Sequence, residues 1–216
     1  MGQYYRPAIL KKNWKTAKGN PVCASLLCYD FNNGAKLMEH SYIGNWLARS
    51  VEYLLANQFK GYPFVWVGDY ADKVSTKTGE HDLYHDANLF IYKDYEGTSD
   101  KKSQQYIKLR ASIPVMYQGD RWCSNPVFDP YMNYPYYRYL VNYSKKEYCI
   151  MPKYSKKDED RINPLPILTS SGCGRGCGDF HRGDELVGKW AFDCIGLTNS
   201  KKEIEGFTEI NGRFVE

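Results

Sequence analysis

The sequence predicts an α+β fold: predominantly antiparallel sheet with one principal amphipathic helix and long loops. Short strand-like runs separated by turn residues recur along the 216 residues, as in hairpins rather than strand–helix crossovers. Only the stretch 45 to 58 keeps apolar residues at helical spacing. With 43% hydrophobic and 25% charged residues, the chain can bury one sizeable core and lacks the composition of a disordered protein.

The elements follow in order. Tyr5, Ala8 and Leu10 alternate as a strand, and Pro7 confines that strand to an edge or a strand start. Lys11 to Lys18 is polar, Gly19-Asn20-Pro21 turns, and Val22 to Tyr29 returns as the second arm of a long hairpin. In the helix, Trp46, Leu47, Val51, Leu54 and Leu55 share a stripe, Asn45 can cap, and Lys60-Gly61 followed by Pro63 stops the run. Arg49, Glu52 and Gln58 are read as its solvated face. Phe64 to Asp69 is a compact apolar strand.

From Tyr70 to Lys102 a polar, acidic excursion carries one short strand at Leu89 to Tyr92, and Tyr106 to Tyr117 alternates as another. Residues 118 to 135 hold three prolines within turn dipeptides and read as a structured loop. Tyr136 to Met151 is the best hairpin pattern in the chain, turning near Ser144-Lys145-Lys146. A charged loop at 153 to 161 follows, then short strands at Pro164 to Thr169 and Glu185 to Leu197. We read one domain, 1 to 216. Two echoes suggest a duplication of about 1 to 118 and 130 to 216: Tyr4-Tyr5-Arg6 against Tyr136-Tyr137-Arg138, and Val67-Gly68-Asp69-Tyr70 against Val187-Gly188-Lys189-Trp190.

Charge is uneven under a net +4. Residues 1 to 29 carry +5, 30 to 100 carry −5, 101 to 157 carry +8 and 158 to 216 carry −4. The third block also holds ten of the twenty tyrosines. Rings interleaved with Lys and Arg stack bases while neutralising phosphates, which marks Arg138, Tyr137, Tyr139 and Lys146 as candidate ligand contacts. The competing reading is a solvated sheet face decorated by strand-forming tyrosines.

The densest chemistry lies in Ser170 to Gly183, where glycine takes every second position from 172 to 178 and leaves backbone amides uncovered. The loop lacks both the Gly-Lys-Ser/Thr ending of an NTPase phosphate loop and a following helix pattern. An anion nest remains, with Gly174 and Gly176 offering amides, Arg175 and Arg182 offering charge, and Asp179 bracing the turn. The alternative is a tight structural turn.

Cys173, Cys177 and His181 are candidate catalytic groups, because thiols beside cations can ionise. They also carry zinc-ligand chemistry, but at Cys-x3-Cys-x3-His spacing and one ligand short. His81 and His85, among Asp69, Asp72, Asp82 and Asp86, form a second weak metal candidate if 80 to 86 is helical. The expectation is no cofactor, with zinc as the alternative.

Met1 to Pro7 lacks the apolar stretch of a signal peptide, and no run approaches the roughly 20 apolar residues of a membrane span. Seven cysteines, an odd number, suit reduced thiols. These readings converge on a cytosolic, non-enzymatic binding protein. Its expected partner is an anionic small molecule, a nucleic acid or another protein, with no membrane, and its expected role is that of an accessory, immunity or anti-defence factor. The rival is a small hydrolase or transferase using the Cys/His set or a metal.

Overall fold

The computed structural model describes residues 3–31, 33–93, 101–114, 136–152, 162–172 and 185–210. Its fold is α+β. One eight-stranded sheet, antiparallel except for two short parallel pairings, is joined by a two-stranded sheet and by helices.

β1 (Tyr5–Leu10) and β2 (Val22–Ser25) form the expected N-terminal hairpin, and β3 (Tyr62–Gly68) pairs with the other side of β1. Pro7 therefore lies in a strand with two neighbours. It is tolerated because it opposes Trp66, whose amide turns away to the Thr169 carbonyl, and because β2 begins opposite only at Ala8. The far hairpin, β6 (Tyr139–Asn142) and β7 (Glu147–Ile150), falls inside its predicted span. β9 (Cys194–Thr198) pairs with β6 on one side and reaches β3 on the other. Between β7 and the β6–β9 pairing on one flank and β3, β1 and β2 on the other, strand order runs β7-β6-β9-β3-β1-β2. Each half thus lays down a hairpin and then an inner strand beside its first arm. β8 (Ser170–Ser171) occupies the rest of the β3 edge, and β10 (Thr208–Glu209) extends the β7 side.

Consecutive strand residues face opposite sides of a sheet, so Arg6 and Trp66, which opposes Pro7, mark its two faces. The Arg6 guanidinium lies 5.2 Å over the Tyr84 ring of α3 (Leu83–Ile91). Trp66 donates from Nε1 to His40 Nδ1 of α1 (Leu37–His40) at 2.8 Å. α3 and α1 therefore cover opposite faces. α2 (Trp46–Ala56) and α5 (Pro164–Leu168) pack with α1's layer, and α4 (Gln104–Ser112) packs on α3.

α2 is the predicted helix, capped by Asn45 Oδ1 accepting from the Ala48 amide at 2.9 Å, and its Leu47, Val51, Leu54 and Leu55 are fully buried. Glu52 does not lie on a solvated face. It is buried, and Asn163 Nδ2 donates to its Oε1 at 2.6 Å.

Four expected strands are corrected. Leu89 to Ile91 belongs to α3, and 104 to 112 is helix because Ser103 caps it while Tyr106, Leu109 and Ile113 face inward at helical spacing. Pro164 to Leu168 is helix, with proline at the first position where its missing N–H costs nothing. Residues 185 to 193 turn, and the strand starts only at Cys194. The echo at 187 to 190 therefore sits in a turn, with Gly188 at φ +72° against the Ser170 carbonyl, whereas 67 to 68 ends a strand. Among the described residues no helix is long and apolar enough to cross a membrane.

Candidate functional site

The predicted site residues fall only in part within the described structure. Cys173, Gly174, Arg175, Gly176, Cys177, Asp179, His181 and Arg182 lie outside the described residues. The loop's root is described. Gly172 abuts the Gln3 amide and the Tyr5 hydroxyl so closely that a Cβ there would meet Tyr5 Oη at 2.5 Å.

The basic tyrosine hairpin spends its aromatic groups on structure. Tyr139 is 3% exposed and packs edge-on against Tyr148, which removes its ring from any stacking role. Tyr137 is half-buried, and its hydroxyl accepts from Asn57 Nδ2 at 3.1 Å. The hydroxyls of Tyr136, Tyr143 and Tyr148 donate to Met151, Glu203 and Glu209. Arg138 is exposed, with its guanidinium 5.5 Å over the Tyr139 ring, and Lys146 sits exposed at the turn with φ +54°. Only Arg138 and Lys146 keep the surface role assigned to them.

His81 and His85 do not share a helical face. His81 lies in β5 (Gly79–His81), which pairs with β4 (Val74–Thr76), while His85 lies in the first turn of α3. His81 Nδ1 contacts Asp86 Oδ2 at 3.0 Å, and Asp82 Oδ1 caps α3 by accepting from the His85 amide at 3.0 Å. Burial pushes the Asp86 carboxyl up, against the pull of His81. Among the described residues no group of three or more His, Cys, Asp or Glu is placed to hold a metal ion.

The structure brings together a different set. A groove of about 630 Å³ opens where β2, the end of α2, α3 and α4 meet. Its floor is the nearly buried Val22, Phe59, Phe90 and Leu109. Gln58, Leu89, Gln105 and Lys108 stand exposed around it, and Lys11 enters from the end of the first strand. Among the described residues two lysines line the groove and no carboxylate does.

Its walls are fixed from below. Asn20 donates to the Asp86 carbonyl and accepts from the Val22 amide, both at 2.8 Å. Ser112 donates from its hydroxyl to the Leu109 carbonyl at 2.7 Å. Cys23 also lines the groove, but burial pushes its thiol up to about 11, and its Sγ donates to the Ile9 carbonyl at 3.4 Å.

Sequence reasoning missed this groove because it is built from four separated segments, two of them misread as strands. The available signal was Ser103 followed by Tyr106, Leu109 and Ile113, a capped helix with Lys108 on its outer side.

Comparison of the chain with known protein families, with curated proteins and with solved structures finds no match.

Proposed function

We propose that this protein is a non-enzymatic binding protein that holds an anionic ligand in the groove between β2, the end of α2, α3 and α4. The observation that carries the reading is the groove's composition: an apolar floor with Lys11 and Lys108 and, among the described residues, no carboxylate in the lining. Concave sites of this kind bind ligands by burying apolar surface, while a few polar groups set orientation. Three buried or half-buried thiols are poor nucleophiles, since burial raises Cys23 to about 11, Cys149 to about 12 and Cys28 upward as well.

The test is a panel of nucleotides, a short RNA and an acidic peptide titrated against the purified protein over a salt series. Binding that weakens as salt rises, and that the double variant Lys11→Glu/Lys108→Glu abolishes, supports the reading. Salt-independent binding, or full binding by the double-lysine variant, refutes it.

A further inference from the structure

We infer that the groove is a mononucleotide site, with a nucleobase on the Phe59 and Phe90 floor and a terminal phosphate taken by Lys11 and Lys108. The inference rests on the proposal that the groove binds anions and narrows it to one chemical class.

Size is the first argument. A volume of about 630 Å³ falls within the range of small-molecule sites and suits one nucleotide rather than a track for a strand.

Charge is the second. A phosphomonoester carries about −1.5 to −2 near neutral pH, and the groove supplies two lysines. Other described cations hold contacts of their own. Lys12 lies 4.9 Å over the Tyr62 ring, Lys102 pairs with Asp30 at 2.5 Å, and Arg110 lies 4.6 Å over the Phe31 ring. Among the described residues Lys11 and Lys108 form no ion pair. The two groove lysines together match the charge of one phosphate.

The third argument is the pair of carboxamides. Gln58, just past the end of α2, and Gln105, on α4, line the same groove. A carboxamide offers a donor and an acceptor side by side, the pattern that pairs with the edge of a heterocyclic base. An acidic peptide would use the lysines but has no need of two exposed amides above an aromatic floor.

Calorimetric titration of the full chain with AMP, GMP, CMP and UMP, their nucleosides, inorganic phosphate, a 12-nucleotide RNA and hexaglutamate tests this. At least one monophosphate should bind ten-fold or more tightly than both its nucleoside and inorganic phosphate. Lys108→Gln, an exposed substitution on α4, should weaken that monophosphate roughly ten-fold or more while leaving nucleoside affinity unchanged. Gln105→Ala should alter the ranking of the four bases. If the RNA or hexaglutamate binds and no monophosphate does, the nucleotide inference is overturned while the anion-binding proposal stands. If a nucleoside binds as tightly as its monophosphate, the anion-binding proposal falls with it. Silence from every monophosphate at millimolar concentration also overturns the inference.

Discussion

His40 is fully buried, with both ring nitrogens engaged: Nε2–H donates to the Gly34 carbonyl at 2.9 Å, and Nδ1 accepts from Trp66. That arrangement requires the neutral ring, and burial accordingly pushes its pKa from 6.5 down to about 4. Between those values the unfolded chain binds more protons than the folded one, so stability falls as pH drops through that window. The loss from this residue should reach roughly 2 to 3 kcal/mol by about pH 4.5. Glu52 acts with opposite sign, since burial raises its pKa and the folded chain then holds a proton that the unfolded chain has released. Urea denaturation at pH 7 and pH 4.5 separates the two. His40→Gln should lose less stability on acidification than wild type, and parallel losses in both proteins would refute the assignment.

At the scale of elements, Asn163 ties together α5, α2 and the segment just past α1. Its Oδ1 accepts from the Leu165 amide to cap α5, its Nδ2 donates to Glu52 on α2, and its own amide donates to the Ser41 carbonyl just past α1. Asn163→Ala should cost about 2 to 4 kcal/mol, combining a lost N-cap with a buried carboxyl deprived of its donor. Glu52→Gln keeps an acceptor for Asn163 and removes a buried ionisable group, so it should be near neutral or stabilising. Thermal melts of the two variants check this, and equal losses would show that the carboxylate itself, rather than the hydrogen bond, holds α2 to α5.

Elements also show how legible the chain is. α2 and both hairpins are readable because their signals, a 3.6-residue stripe, an Asn cap and turn residues between alternating runs, lie within a dozen neighbouring residues. α4 is misread as a strand when its Ser103 cap is overlooked, although Tyr106 and Leu109, three residues apart, would face opposite sides of a strand and share a side only in a helix. The burial of Glu52 and Tyr139 is not legible at all, because it depends on Asn163 and Tyr148 arriving from elsewhere.

Across the whole molecule, the two halves meet in one sheet where β3 joins β9. Phe64 donates its amide to the Asp193 carbonyl at 3.0 Å and accepts from the Phe192 amide at 2.9 Å. The main core cluster spans both halves, from Tyr5 and Trp66 to Leu168 and Trp190. Unfolding should therefore be a single cooperative transition. Trp66 and Trp190, each fully buried in a different half, serve as reporters. Denaturation curves of Trp66→Phe and Trp190→Phe followed by fluorescence and by far-ultraviolet circular dichroism should each give one coincident midpoint. Separated midpoints would show halves that fold independently.

The sequence alone determined the α+β class, the principal helix and the two hairpins, since periodicity and turn chemistry act within single elements. Only tertiary structure decided that the tyrosines of the 136 to 151 hairpin would be spent on packing and hydrogen bonds, and that Lys11, Gln58, Gln105 and Lys108 would line one groove. The physical reason is distance along the chain: residues 11 and 108 come to line one groove only when β2, the segment after α2, α3 and α4 are brought together, and no local preference encodes that meeting.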